Sequence, residues 1–141
     1  MDKTRNNLLI KLADEALREQ VANENCGVSK ILNGSNIEDA YNGSIASLSV
    51  SIALSELRPA LAIYYQDKPN SSAKPKANRR SVLDVIARTI TKDAQSRNIS
   101  RWDFSVNNNF AKNLFKYAIG NEEVIDCAIA LKQIVRTYNL V

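Results

Sequence analysis

The segment Glu122–Val141, EEVIDCAIALKQIVRTYNLV, constrains the fold more than any other part of the chain. Val124, Cys127, Ala128, Leu131, Ile134, Val135 and Tyr138 recur at three- and four-residue steps, which lays them on one face of a helix running through the tail. Asn121 stands at the cap position, and Glu122 and Glu123 follow where the positive end of a helix dipole favours acids. A second segment, Tyr41–Tyr65, is a long run of small and apolar residues broken once, by Pro59. The two segments predict an all-α protein: a single compact bundle of about five to six helices with one long basic loop.

The length of 141 residues fits one domain, residues 1–141, with a core large enough to need neither metal nor disulfide. Few aromatics and four glycines suit helices better than a β-sandwich. Cys26 and Cys127 stand far apart and outside any CxxC pattern, so both are expected as buried free thiols. Asn7–Ala13 is apolar but is interrupted at once by Asp14, Glu15 and Arg18, and no run of about 20 apolar residues exists. The expectation is a cytoplasmic protein with no membrane partner.

A first helix is expected from a cap at Asp2 or Thr4 to about Asn23, with an apolar stripe of Leu8, Leu9, Leu12, Ala16 and Val21. The short apolar piece Val28–Leu32 precedes turn signals at Asn33–Gly34 and Asn36. A second helix follows from Ile37–Tyr41 through Leu54, although its β-branched residues are also compatible with a strand. Its dense serines predict close packing against neighbours. Pro59 breaks the run, because it lacks an N–H and its ring clashes with the preceding turn. Ser55 is the predicted cap of a third helix, from about Pro59 to Tyr65.

Residues 66–80 are expected as an exposed flexible loop, most clearly over Gln66–Asn78, QDKPNSSAKPKAN. Ser81 is the predicted cap of a fourth helix carrying Val82, Leu83, Val85, Ile86 and Ile90, with Asp84 completing a weak capping box. A fifth helix over Val106–Ile119 carries Phe110, Leu114, Phe115, Ala118 and Ile119 on one side and stops at Gly120.

The chain has no histidine, which removes the commonest general base, the commonest metal ligand and every Ser–His or Cys–His nucleophile. Two scattered cysteines do not make a zinc site, and there is no Gly-rich phosphate loop. Glu122, Glu123 and Asp126 read as helix-dipole partners rather than a metal or acid–base cluster. Ser71–Lys74 matches Ser-x-x-Lys but sits in a Pro/Ser loop without companion motifs. The expectation is a non-enzyme with no catalytic residue, no metal and no cofactor.

Charge carries the remaining signal. The net charge is +4, and Asp67–Arg80 alone, with Lys68, Lys74, Lys76, Arg79 and Arg80 against Asp67, also reaches +4. Clustered cations of this kind contact phosphates and release counterions. Arg88 and Lys92 follow, four residues apart and so on one helix face. Aromatic stacking platforms are scarce nearby, so contact would be with the backbone and not with bases.

Two segments also carry a resemblance. Tyr41-Asn-Gly-Ser44, Ile45-Ala-Ser-Leu48 and Leu57-Arg-Pro-Ala-Leu-Ala-Ile-Tyr-Tyr65 resemble the small subunit of the type III-B CRISPR effector, the Cmr complex. The tail Ala130–Val141 is similar to that family's closing helix. The resemblance covers about half the chain, and Glu56 departs from it, standing where the family often has glycine. It implies a non-catalytic α-helical subunit of an antiviral ribonucleoprotein, in several copies along the guide RNA–target RNA duplex. Its implied partners are the other effector subunits, copies of itself and the RNA backbone. Arg58 and Arg136 fall inside the matching segments, and charge alone adds Lys68, Lys74, Lys76, Arg79, Arg80, Arg88 and Lys92. The rival reading is a helical adaptor that binds only protein.

Overall fold

The computed structural model describes residues 3–22, 27–65, 79–98, 110, 114 and 120–141. The fold is all-α apart from one very small sheet. Among the described residues, five helices appear: α1 (Lys3–Glu19), α2 (Asp39–Ser55), α3 (Leu57–Tyr65), α4 (Arg79–Ser96) and α5 (Asn121–Val135). Three two-residue strands, β1 (Leu32–Asn33), β2 (Asn36–Ile37) and β3 (Asn139–Leu140), form the sheet.

Helix α4 is the centre of the bundle. It packs against α1, α2, α3 and α5, and residues 81–94 are buried except for Arg88 and Lys92. Its polar residues are satisfied within the helix or by neighbours. The Thr89 and Thr91 hydroxyls donate to the carbonyls of Val85 and Ala87. The core otherwise consists of aliphatic side chains, with Leu9, Ile45, Leu83, Ile86 and Leu131 buried among them. Phe110 and Leu114, one turn apart, are helical and buried, as their spacing predicts.

Helix α1 ends at Glu19 and not near Asn23. Gln20 stops it: its side-chain amide donates to the Ser81 carbonyl and the Asp84 carboxylate, while its carbonyl accepts the Ile31 N–H. The buried stripe is Leu9, Leu12, Ala13, Ala16 and Leu17. Leu8 and Val21 are exposed, one position off that stripe. Thr4 lies inside the helix, and Asp2 is outside the described residues.

Between α1 and α2 the turn signals make a hairpin, with Leu32 opposite Ile37 and Asn33 opposite Asn36. Gly34 holds φ +64, the left-handed value that a two-residue hairpin loop requires at its first central position. The tail then departs from expectation. Helix α5 ends at Val135, and residues 136–138 turn, the Thr137 and Tyr138 N–H groups donating to the Ile134 and Val135 carbonyls. Strand β3 pairs in parallel with β2, and the Val141 N–H donates to the Ile37 carbonyl at 2.9 Å. The Tyr138 hydroxyl, expected on the helix stripe, donates to the Asp14 carboxylate on α1.

Three more predicted caps are corrected, the first at Asn121, which is already inside α5 with Gly120 at its cap. Ser55 ends α2 rather than opening α3, and the break falls on Glu56 alone, at φ 69 and ψ 169. Pro59 sits in the first turn of α3, where a missing N–H is tolerated. Ser81 lies inside α4, its hydroxyl accepting the Ser29 N–H at 2.8 Å, and Asp84 is buried and bonded to Gln20 and Arg88. No helix among the described residues is long and apolar enough to cross a membrane.

Candidate interaction surfaces

The nine cations singled out by the sequence fall into separate groups. Lys68, Lys74 and Lys76 lie outside the described residues. Arg79 and Arg80, expected in the loop, form the first turn of α4 and are half-buried. The Arg79 guanidinium stands 5.2 Å from the ring centre of Tyr64, which fixes it against the end of α3. Arg58 is exposed in the first turn of the same helix. Six residues separate Arg58 from Tyr64, about 9 Å of helix rise. Arg79 and Arg80 thus form a cationic corner where the end of α3 meets the start of α4, and Arg58 stands at the opposite end of α3.

Arg88 and Lys92 do share the face of α4 that reaches solvent, but their charges are spent on the fold. Arg88 donates to Asp84 at 2.8 Å and stacks 4.3 Å from the Phe110 ring centre. Lys92 pairs with Glu19 at 2.7 Å and lies 3.9 Å from Glu15, both on α1. Burial pushes the Asp84 carboxyl above its ordinary value, and Arg88 and Gln20 offset only part of that rise. Asp93 is a second buried carboxylate on α4. It accepts two bonds from Arg5 on α1, at 3.1 and 2.9 Å, and one from Arg97 at 2.8 Å.

Arg136 is exposed on a different surface, just past the end of α5. It lines an open groove of about 400 Å³ with Ala46, Ser49 and Val50 of α2 and Ile129, Lys132 and Gln133 of α5. Helix α2 carries no charge after Asp39, and its core side is Tyr41, Ile45, Leu48 and Ile52. The opposite side is also apolar: Val50 is 58% exposed and Leu54 82%. A helix apolar all round belongs inside a larger body, and here one side is uncovered by the described residues. The serines divide: Ser44 and Ser51 are half-buried, the Ser44 carbonyl accepting the Tyr64 hydroxyl of α3, whereas two others face outward. Ser47 is exposed and donates to its own helix at the Gly43 carbonyl, and Ser49 lines the groove. Lys132 was missed in the sequence, although it stands one turn before Arg136.

The acidic cluster at the start of α5 is divided. Glu122 is exposed, Asp126 is half-buried, and a Glu123 oxygen lies 3.6 Å from Arg5. Among the described residues no three candidate ligands converge. Cys127 is a free, fully buried thiol, and burial pushes its ionisation far above the ordinary range. Cys26 and Ser71–Lys74 lie outside the described residues. Compared with protein-family models, curated proteins and solved structures, the chain has no match.

Proposed function

We propose that this chain is a non-catalytic subunit of a ribonucleoprotein, the small subunit of a type III-B CRISPR RNA-guided effector. It stands in several copies along the guide RNA–target RNA duplex and serves antiviral defence. The observation that carries the reading is the backbone of Glu56. Its φ of 69 with ψ of 169 is a conformation that essentially only glycine adopts freely. That is the position where the resembled family often has glycine, and a glycine-type backbone at Glu56 supports the likeness of Tyr41–Tyr65 although the residue itself departs from it.

On this reading the corner of Arg79 and Arg80, with Arg58 at the other end of α3 and Lys68, Lys74 and Lys76 in the intervening segment, contacts RNA phosphates without reading sequence. The uncovered α2–α5 face binds protein. The test is an affinity pull-down of the tagged chain from its host, with mass spectrometry and RNA sequencing, alongside the variant Arg79→Glu/Arg80→Glu. Wild type is expected to bring down the other effector subunits and a guide RNA, and the variant to lose RNA while remaining folded. Recovery of unrelated proteins and no RNA would overturn the proposal.

One observation favours the rival adaptor reading. Arg88 and Lys92 are held in ion pairs, which lowers the charge available to a nucleic acid. An adaptor would bind its partner with an affinity that hardly changes with salt.

A further inference from the structure

The α2–α5 face has a charge pattern that is complementary to itself. On α5 its outer stripe reads Glu122, Asp126, Ile129, Lys132 and Arg136. Counted from Ile129, the acids stand at minus seven and minus three and the cations at plus three and plus seven. These steps keep all five on one side of a helix and its last turn. Ile129, at the centre, is 38% exposed. Among the described residues none of the four charges takes part in an ion pair.

The apolar part of the face lies beside this stripe. Helix α2 starts two residues after β2, and α5 ends four residues before β3, which pairs with β2. The two helices therefore leave and approach the same sheet, and they run antiparallel in contact. Val50 and Leu54 consequently flank α5 as it runs back from its basic end towards its acidic end.

We propose that this face pairs with the same face of a second copy of the chain about a two-fold axis at Ile129. With the axis perpendicular to α5, the two-fold places each α5 antiparallel to its mate. Arg136 of each copy then meets Glu122 of the other, and Lys132 meets Asp126. Ile129 meets itself, and the exposed Val50 and Leu54 are covered. A parallel pair in register would instead set acid on acid and base on base. Glu122 to Arg136 spans about 21 Å of α5. A strip of that length beside one helix is smaller than the roughly 800 Å² per partner of a standard interface, so the isolated pair is weak. The pairing goes beyond the proposed function, since a two-fold interface closes at two copies, and it needs no RNA and no other subunit, so either can fail alone.

Sedimentation velocity of the purified full chain, from about 10 μM to about 1 mM, is the test. A concentration-dependent monomer–dimer equilibrium is expected. Lys132→Glu/Arg136→Glu weakens it by at least about tenfold, because like charges then face each other. Adding Glu122→Lys/Asp126→Lys to the same chain restores it. Mixing the two double variants gives a heterodimer tighter than either homodimer, which keeps the test decisive should the fourfold variant fold poorly. Ile129→Asp, a change at an exposed site, gives a monomer with unchanged helical circular dichroism. A wild-type chain that stays monomeric over the whole range overturns the proposal. So does a dimer indifferent to the charge changes, or double variants that do not prefer each other.

Discussion

Replacing Glu56 with glycine should stabilise the protein. Glu56 has φ 69 and ψ 169, outside the regions open to residues with a Cβ, and its side chain is exposed. The position is held by what flanks it. Its N–H donates to the Ile52 carbonyl at 3.0 Å, closing α2, and its carbonyl accepts the Ala60 N–H, opening α3. A non-glycine residue in such a region costs about 1–3 kcal/mol. Glycine relieves that strain but raises the entropy of the unfolded chain, which takes back about 0.5–1 kcal/mol. The net gain is about 1 kcal/mol, since no side-chain contact of weight is lost. Urea unfolding should show a midpoint higher by about 0.6 M with an unchanged slope. The thermal midpoint should rise by about 4 °C. Glu56→Ala keeps the Cβ and should stay within about 0.5 kcal/mol of wild type. A Glu56→Gly variant no more stable than wild type would refute the strain. An equal gain in Glu56→Ala would assign the effect to the lost charge instead of the backbone.

Two further outcomes follow from the buried carboxylates of α4. Asp93→Ala should destabilise the fold by about 3 kcal/mol in urea titration, because it removes the buried acceptor of three bonds that ties α1 to α4. Arg97→Ala should cost less than about 0.5 kcal/mol, since Arg97 is an i,i+4 partner that reaches water. Equal losses in the two variants would refute the ranking. Asp84 concerns pH. Its folded carboxyl titrates above the unfolded value of 3.8, so the folded chain holds a proton that the unfolded chain has released. The stability contributed by Asp84 is therefore fully present below the unfolded value and is lost as pH rises through the folded one. The stability of Asp84→Asn relative to wild type should accordingly increase with pH across the acid range, followed by urea unfolding from about pH 3 to about pH 7. Parallel curves would show that Arg88 and Gln20 offset the burial completely.

The tail shows what periodicity carries and where it stops. Val124, Cys127, Ala128, Leu131 and Val135 are buried on one helix face, as their spacing predicts. Tyr138 continues the same arithmetic but leaves the helix, because β3 gains backbone partners on β2 that lie about a hundred residues away in sequence. Ser81 and Asp84 show the same limit from the other side. Ser-x-x-Asp is a fair local capping signature, but Gln20 and Ser29 arrive from more than fifty residues away and take both side chains into the core network. The break before α3 was legible from Pro59. That Glu56 would take a glycine conformation was not legible from its own side chain, only from comparison with a family that often has glycine there. Lys132 was within reach, since it repeats Arg136 one turn earlier. The pattern around Ile129 acquires meaning only when α2 is known to leave that side open.

Counting charges along the chain overstates the capacity for phosphate contact. Of nine candidate cations, Arg88 pairs with Asp84 on its own helix, Lys92 pairs with Glu19 on α1, and Arg136 lies on the α2–α5 face, away from the corner where α3 meets α4. That leaves Arg58, Lys68, Lys74, Lys76, Arg79 and Arg80. Each phosphate neutralised on a duplex contributes about 0.9 to the slope of log affinity against log salt concentration. Six contacts per copy set an upper limit of about 5 on that slope, where nine would allow about 8. The two limits differ enough to be separated by titrating an RNA duplex at several salt concentrations. A slope above about 5 per bound copy would bring in Arg136, or a cation outside the nine, or Arg88 or Lys92 on leaving Asp84 or Glu19. Charge-removing variants at Asp84 and Glu19 strengthen RNA binding only where Arg88 or Lys92 supplies the contact. A slope at or below that limit is met by the remaining six cations with Arg88 and Lys92 still held in the fold, and loss of slope in Arg79→Glu/Arg80→Glu then assigns part of it to the start of α4.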